Sequence, residues 1–256
     1  MDGQVTEGPG GAVEKALAVL DALAEHSRVT DLARATGLPK STVHRVLQTL
    51  AEQGFALPDA HGNYLAGPKV LALAGRVLQR LDPARRARPA LTGLQAGTGC
   101  AVHFAMLFGA ELVYVDKVEA DKPYRMASRI GMGLPLHCSA IGKAVLAALP
   151  EIELSALLGK LRLEARTPRT ASTPAALRER LTGARSAGFA VDDEENEPGV
   201  RCVAAAVRDH TGAVIGGVSV SALVLEHRLA ELTGHGPLVV RAAREVSTAF
   251  DWSTAL

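Results

Sequence analysis

Polar side chains between residues 40 and 49 have the chemistry needed to contact a nucleic acid. Nearly all carry hydrogen-bond donors for phosphate oxygens or base edges, and none is acidic, as a surface that lies against a polyanion requires. The candidate contacts are Lys40, Ser41, Thr42, His44, Arg45, Gln48 and Thr49. Apolar residues recur between them at helical spacing, at Val43, Val46, Leu47 and Leu50. The segment therefore predicts an amphipathic helix that packs one face inward and leaves its polar face free to bind.

The residues before this helix predict a second, shorter helix and a tight turn. Leu32, Ala33 and Ala35 supply its apolar side. Gly37 follows at a helix end that favours a positive φ angle, and Pro39 stands where the next helix begins. Helix pairs joined by a glycine turn are common, so a solvated amphipathic helix is the alternative interpretation. The acid-free polar face favours a helix-turn-helix that contacts DNA.

Residues 55–69 predict a β-hairpin directly after the proposed recognition helix. Two short extended pieces flank a turn-rich cluster at residues 59–63. A hairpin in this position is typical of a wing, which reaches the neighbouring groove or backbone. His61, Asn63 and Lys69 are its candidate contacts. Upstream, a further amphipathic helix is predicted from Val13, Ala16, Leu17, Leu20 and Leu23.

Composition is that of a globular protein, with 256 residues, of which 48% are hydrophobic and 21% charged. This length suits two domains of ordinary size. No window approaches the roughly 20 apolar residues of a membrane span, and the first residues lack a targeting pattern, so we expect a cytoplasmic protein. The three cysteines, Cys100, Cys138 and Cys202, lie far apart and favour reduced thiols over disulfides or a metal site. We expect neither metal nor cofactor.

Charge is nearly balanced, with a formal net charge of +1. Residues 11–90 hold eleven Lys and Arg against seven Asp and Glu, whereas residues 91–256 hold seventeen against eighteen. The balance argues against a protein that coats nucleic acid without specificity. A modest local excess suits a specific DNA binder whose affinity comes partly from dimerisation.

A linker helix is predicted after the hairpin, beginning near Pro68. Its apolar positions could pack on the first domain or pair with a second copy of the chain, and both alternatives stay open. They are Val70, Leu71, Leu73, Val77, Leu78 and Leu81. For the arginines that follow, solvated surface is favoured over a phosphate-binding patch. These are Arg85, Arg86 and Arg88.

Beyond residue 98 the pattern predicts interleaved hairpins and helices. Strands are expected at residues 101–107, 111–118, 202–207 and 214–221, and helices at residues 139–149, 152–159, 173–187 and 225–250. This order favours a mixed α/β sensor sheet over a doubly wound parallel sheet. The predicted fold is a two-domain α+β protein, with a DNA-binding domain at residues 11–72, a linker helix at 73–97 and a ligand-sensing, dimerisation domain at 98–256.

The strongest ligand signal in the second domain is the start of the helix after Ser139, a good N-cap residue. Small residues leave the N–H groups of Ala140, Ile141 and Gly142 open to an anion, which the helix dipole also favours. Ser219 and Ser221 are candidate partners across the sheet. The alternative is plain helix capping with tight glycine packing.

Three segments together resemble the IclR family of transcriptional regulators. They are LPKSTVHRVLQTLAEQGF, GLPLHCSAIGKAVLA, and GFAVDDEENEPGVRCVAAAVRDHTGAVIGGVSVSA from Gly188 to Ala222. The resemblance implies a winged helix-turn-helix joined by a helix to a GAF-like (profilin-like) effector-binding domain. It also implies a homodimer, or a dimer of dimers, on operator DNA. It favours repression and leaves activation open.

The resemblance also implies a pocket for a small effector, which the anion argument suggests is a carboxylate or phosphate metabolite. The implied pocket residues are Met126, Leu134, Ala140, Ile141, Asp192, Val200, Cys202, Ser219 and Ser221. Asp192 beside an anion site would favour a ligand that also offers a hydroxyl or amine. The alternative for Asp192 is a turn residue in an acidic run.

Two other functions fit parts of the sequence. An enzyme acting on a small acid would use Cys202 or Cys138 as nucleophile and His103 or His137 as base. Adjacent side chains on an extended segment point apart and no nucleophile elbow is present, so we expect no catalysis. A metabolite-sensing adaptor would bind protein rather than DNA.

Overall fold

The structure is a computed structural model that describes residues 10–80 and 83–250, with side chains described outside residues 77–84. The chain divides into two compact units, Met1–Leu81 and Asp82–Leu256. Within the described ranges, no helix has both the length and the apolar character needed to cross a membrane.

The first unit contains four helices and one hairpin among its described residues. Its elements are α1 (Ala12–Ala22), α2 (Val29–Thr36), α3 (Lys40–Glu52), β1 (Ala56–Pro58), β2 (Tyr64–Ala66) and α4 (Pro68–Arg80). Gly37 ends α2 with a φ of 68°, as predicted, and α3 begins after Pro39. Leu32, Val43 and Leu47 are fully buried in a core shared by α1, α2, α3 and the hairpin. The predicted winged helix-turn-helix fold is confirmed.

A single side chain organises the turn of the hairpin. The Asp59 carboxylate accepts backbone N–H groups from His61 and Asn63, both at 2.8 Å, and the Asn63 side-chain amide at 3.0 Å. The two strands are antiparallel, with Leu57 opposite Leu65. Asn63 is therefore committed to the turn through both its backbone and its side chain.

In the region of the predicted linker the structure describes two helices, α4, which ends at Arg80, and α5 (Pro83–Thr98), and the residues between them lie outside the described ranges. α4 belongs to the first unit and α5 to the second. Leu71 and Leu73 of α4 are exposed in this single chain. Leu81 and the side chains of Val77 and Leu78 lie outside the described residues.

The second unit is a six-stranded sheet covered by helices on both faces. After α5 its elements are β3 (Ala101–Phe108), β4 (Glu111–Val118), β5 (Gly133–Leu134), α6 (Ala140–Ala148), α7 (Glu151–Leu158), α8 (Pro174–Ala187), β6 (Ala190–Asp193), β7 (Val200–Arg208), β8 (Val214–Leu223), α9 (Leu229–Gly234) and α10 (Gly236–Ala249). The strand order is β5-β4-β3-β8-β7-β6, and every neighbouring pair is antiparallel. The predicted mixed α/β domain is confirmed.

The two faces of the sheet differ in chemistry because successive residues of a strand point to opposite sides. One face carries large apolar side chains such as Val102, Phe104 and Val220, which pack on α5 and α10. The other face carries smaller side chains such as Ala105 and Ala204 beneath α6 and α8. The second face therefore carries smaller side chains beneath its helices than the first.

The second unit differs from the sequence predictions in two respects. The helix predicted at residues 225–250 is two helices, because Pro237 cannot donate the backbone hydrogen bond that a continuous helix requires. Strands β5 and β6 were not predicted, since they are only two and four residues long. Arg88 lies on the surface, as predicted, with its side chain 50% exposed, and it also pairs with Asp116 and donates to the Lys117 carbonyl at 2.8 Å.

A buried ion pair joins α6 to the turn after β6. Lys143 is 1% exposed and Glu195 4%, and the Lys143 ammonium binds Glu195 Oε1. Glu195 Oε2 is buried and has no hydrogen-bond partner among the described residues. The pair therefore depends on one contact, because the rest of the carboxylate receives no compensation for its lost solvation.

We predict that Lys143→Met destabilises the protein by about 3–5 kcal/mol, since it leaves a buried carboxylate unpaired. The double variant Lys143→Met with Glu195→Met should recover most of that loss, because no buried charge remains. Urea denaturation, monitored by circular dichroism, measures the free energy of unfolding of both variants. Arg241→Met, which removes an exposed pair with Glu245, is the control and should change stability by less than about 1 kcal/mol. Equal losses in the single and double variants would contradict this account.

Candidate DNA-binding surface and ligand site

The predicted contact residues of α3 lie together on the outer face of that helix. Thr42 is half-buried, and the remaining six predicted residues of α3 are exposed. Val43 and Leu47 point into the core and fix which face is outward. The one acidic residue of the helix, Glu52, stands at its last position. The exposed face is thus basic or neutral along most of its length.

The first turn of α3 keeps free backbone donors. No side chain caps this helix, and Pro39, the preceding residue, offers its carbonyl to the N–H groups of Thr42 and Val43 at 2.9 and 3.0 Å. The N–H groups of Lys40 and Ser41 accordingly have no partner among the described residues. A helix start of this kind is suited to a phosphate oxygen.

Some predicted contacts already have partners within the first unit. The Thr49 hydroxyl donates to the Arg45 carbonyl at 3.2 Å, and the His44 ring meets the edge of Tyr64 at 6.5 Å between centroids. Lys69, predicted to lie in the hairpin, is in the first turn of α4, and its ammonium lies 5.4 Å from the centroid of the Phe55 ring. His61 is exposed. The hairpin therefore offers His61 more freely than Asn63, which the Asp59 turn holds.

In the second unit, three predicted site residues form a row across neighbouring strands. Asp192 on β6 is opposite Cys202 on β7, which is opposite Ser221 on β8. Residues directly opposite in antiparallel strands share a face, so all three side chains lie on the α6 side of the sheet. Cys202 Sγ is 3.1 Å from Ser221 Oγ. We call this set, together with Ser219 and His103, the polar row.

His103 extends the polar row onto β3. It is opposite Ser219, and its Nδ1 lies 3.3 Å from Ser221 Oγ. Its Nε2 lies 2.7 Å from Ser128 Oγ, and its ring is 5.1 Å from that of Tyr114. Burial lowers the pKa of His103 to about 3, with a further contribution from the positive charge of Lys117. His103 is therefore neutral and acts as a hydrogen-bonding group rather than a cation.

The start of α6 lies over the same face. A Cβ added to Gly217 of β8 would lie 2.9 Å from Ile141 Cγ2, so the helix sits directly on the strand. Within the described residues, the N–H groups of Ala140 and Ile141 have no hydrogen-bond acceptor. The Gly142 N–H, predicted to be open, instead donates to Ser139 Oγ at 3.0 Å. Two of the three predicted donors are free, and the third completes the helix cap.

Asp192 organises a turn and also lies among the predicted pocket residues. Its Oδ1 accepts the N–H groups of Glu195 at 2.7 Å and Asn196 at 3.3 Å, so it organises the turn after β6. It also belongs to the polar row. Burial raises the pKa of this carboxyl to about 7, although Lys143 and the two N–H groups oppose the shift. Asp192 is thus about half protonated near neutral pH.

The remaining predicted pocket residues differ in how closely they approach this site. Leu134 is buried on β5 opposite Leu112, on the α6 side of the sheet. Val200 begins β7, two residues before Cys202 and on the same face, and is half-buried. Met126 lies in the loop after β4, where its carbonyl accepts from Lys117 Nζ at 3.0 Å. The structure describes no polar-row contact of the Met126 side chain.

Among the described residues, the candidate nucleophiles Cys138 and Cys202 make no direct hydrogen bond to the candidate bases His103 and His137. Burial raises the pKa of Cys138 to about 12 and that of Cys202 far above its ordinary value, so both thiols stay protonated. His137 Nε2 faces the Glu164 carbonyl at 2.9 Å. A protonated thiol is a poor nucleophile, and this chemistry disfavours the enzyme alternative.

Sequence reasoning did not place Tyr114, Ser128 and Lys117 at the site. Lys117 Nζ donates to the carbonyls of Met126 and Ser128 at 3.0 and 2.9 Å and so holds the loop near His103. The sequence feature that could have indicated this part of the site is the alternation of side chains along β3, in which His103 is a polar residue among inward-facing apolar residues. The loop itself carries no periodicity, and its position depends on these tertiary contacts.

Comparisons with known protein families cover both units. The model for the bacterial transcriptional regulator IclR C-terminal domain matches residues 75–248, and the IclR helix-turn-helix domain matches residues 12–60. The HTH-type transcriptional regulator XynR of Escherichia coli is 37% identical over 245 residues, which cover 94% of this chain and 97% of XynR. The transcriptional repressor IclR of E. coli is 33% identical, over 93% of this chain and 89% of its own length.

Solved structures agree with these matches. The Thermotoga maritima IclR structure has a TM-score of 0.75 and 32% identity, and the match covers 93% of this chain and 98% of that one. The C-terminal domain of E. coli KdgR has a TM-score of 0.59 and 31% identity over 66% of this chain and 98% of that domain. By both family models and by these relatives, the chain belongs to the IclR family of bacterial transcriptional regulators.

Proposed function

We propose that this regulator represses transcription by binding operator DNA through α3 and the hairpin, and that a small anionic metabolite in the polar row changes its DNA affinity. The exposed, almost acid-free face of α3 is the observation that supports the DNA contact. Arg45 and Lys40 supply positive charge there, and the free N–H groups of the first turn supply phosphate donors.

The proposed effector is a small carboxylate or phosphate held at the start of α6. The free N–H groups of Ala140 and Ile141, together with the positive end of the helix dipole, suit a negatively charged oxygen. Ser219 and Ser221 supply hydroxyl groups on the facing strand. With Asp192 protonated, its hydroxyl can donate to the ligand rather than repel it. A ligand with an additional hydroxyl or amine could also donate a hydrogen bond to Asp192 in its ionised form.

The proposed mechanism is a two-state switch in a homodimer, or in a dimer of dimers, acting in the cytoplasm. Two recognition helices must lie roughly 34 Å apart to enter successive major grooves on one side of the duplex. The effector binds one arrangement more tightly, and the helices between the units change this spacing. A differential affinity of a few kcal/mol is enough to move most of the population.

We predict that Arg45→Ala weakens operator binding by about tenfold and lowers the salt dependence of affinity, because it removes one cationic contact. Fluorescence anisotropy with the duplex upstream of the protein's own gene, across a salt series, measures both. Lys160→Ala, an exposed residue of the second unit, is the matched control and should leave binding unchanged. If Arg45→Ala binds as the parent does, the adaptor alternative gains support.

We predict that the affinity for a carboxylate effector that carries no hydroxyl or amine falls as pH rises through about 7, because Asp192 then ionises and repels the ligand. Because the pKa of Asp192 is raised to about 7, its neutral form dominates below pH 7. Above pH 7, the affinity for the effector falls by up to about tenfold per pH unit. Calorimetric titration of a panel of these acids from pH 6 to 8 tests this.

Asp192→Asn should remove the pH dependence, since an amide resembles the protonated carboxyl. Asp193→Asn is its control, because Asp193 is the next residue and instead binds Arg169 and Arg201. The same pH profile in both variants would show that Asp192 does not face the effector.

A further inference from the structure

A second cavity lies in the effector-binding unit, away from the polar row. It has a volume of about 480 Å³ and opens between α6, α8, α10 and the end of β7. This volume is within the range of small-molecule sites. Its apolar lining consists mainly of small side chains, among them Ala144, Ala147, Ala184, Ala206 and Val240. The floor therefore offers apolar surface without long side chains filling the space.

Three arginines border this cavity. Arg185 comes from α8, Arg208 from the end of β7 and Arg244 from α10. No Asp or Glu is among its described lining residues. Glu151 lies 3.6 Å from Arg185 but also pairs with Arg178 at 2.7 Å. The cavity thus combines an apolar floor with a positive rim.

Two of the arginines are held in place by the end of α6. Arg185 Nε donates to the Ala147 carbonyl at 2.8 Å, and Arg208 Nη2 donates to the Ala148 carbonyl at 2.8 Å. Arg208 Nη1 also donates to Gly212 at 2.7 Å. A guanidinium carries five N–H donors, so each keeps donors to spare. The same contacts compensate the negative end of the α6 dipole, which would otherwise oppose an anion.

Helix capping accounts for Arg185 and Arg208 but not for Arg244. Among the described residues, the Arg244 guanidinium makes neither a hydrogen bond nor an ion pair. It projects from the α10 face that also carries Val240 and Ser247 to the cavity, four residues before it and three after it. An unpaired arginine beside two pre-oriented ones suits a carboxylate, which guanidinium groups bind with two parallel hydrogen bonds.

The cavity and the polar row are different places on the sheet. Cys202 lies near the start of β7 and Arg208 ends it, so the two sites are separated by six residues, or roughly 20 Å of strand. No residue of the polar row lines the cavity. One small ligand cannot occupy both.

We propose that this arginine-bordered cavity is a second ligand site, which takes organic carboxylates with an aromatic or branched apolar body. The carboxylate pairs with Arg244 and with the spare donors of Arg185 or Arg208, and the apolar body lies on the alanine floor. Inorganic phosphate is a poorer match, because it would leave the apolar floor exposed to water.

Isothermal titration calorimetry with 4-phenylbutyrate as probe tests the proposal on the full chain. The parent should bind one equivalent, and the neutral 4-phenylbutyramide and inorganic phosphate should bind at least about tenfold more weakly. Arg244→Gln should lower probe affinity by about tenfold or more, since it removes the charged partner. Ala148→Leu keeps every charge but fills the cavity, and should also weaken binding.

Two variants serve as controls. Arg241→Gln removes an exposed arginine from the same helix but not from the cavity, and Ser221→Ala alters only the polar row. Both should bind the probe as the parent does. Circular dichroism melting curves establish that each variant is folded, and a misfolded Arg244→Gln is replaced by Arg244→Lys, which keeps the charge but not the paired geometry.

Several results would overturn the proposal. These are absence of probe binding at millimolar concentration, equal binding of the neutral amide, or undiminished binding by both Arg244→Gln and Ala148→Leu. Loss of binding in Ser221→Ala with retention in Arg244→Gln would place the probe in the polar row instead. None of these results bears on operator binding, and placement of the probe in the polar row would overturn this proposal while supporting the proposed effector site.

Discussion

The close approach of α6 to the sheet is the constraint on which the second unit depends. A Cβ on Gly142 would lie 2.4 Å from the Leu136 carbonyl oxygen, and one on Gly217 would lie 2.9 Å from Ile141. Ile141 can lie this close to β8, and α6 this close to the segment before it, only because the two glycines carry no side chains. That contact places the free N–H groups of α6 over the face that carries the polar row, while the opposite face is filled by large apolar residues.

The first unit depends on a different constraint, which is the division of α3 into two faces. Val43 and Leu47 are buried and fix the rotation of the helix about its axis. Every exposed position is then determined by the 3.6-residue period. Gly37, with a φ of 68°, turns the chain so that α2 and α3 pack on one small core. Because rotation and turn are both fixed by apolar packing, the polar side chains of α3 are not needed to hold the core together.

The elements that could be predicted from sequence are those whose periodicity is strong. The α3 stripe, the Gly37 turn and the β3–β4 and β7–β8 hairpins all follow from local pattern, and most bounds agree within two residues. The predictions fail where the local structure is determined by a single residue or by a contact with a residue distant in the sequence. Pro237 divides a predicted helix, Ser139 accepts the hydrogen bond of the Gly142 N–H, and the loop containing Ser128 is positioned by Lys117 of β4. The proposed binding roles of the site residues stay predictions.

The two ends of α6 carry opposite partial charges, and the chain places different groups beside each end. Its first N–H groups, at Ala140 and Ile141, have no acceptor among the described residues and leave the positive end of the dipole available. Its last carbonyls receive arginines from α8 and β7. Between them the buried Lys143 joins the helix to the turn that Asp192 organises. The free N-terminal donors, the arginine-capped C-terminus and the buried ion pair thus all belong to one short helix, which Lys143 and Glu195 fix to the turn after β6.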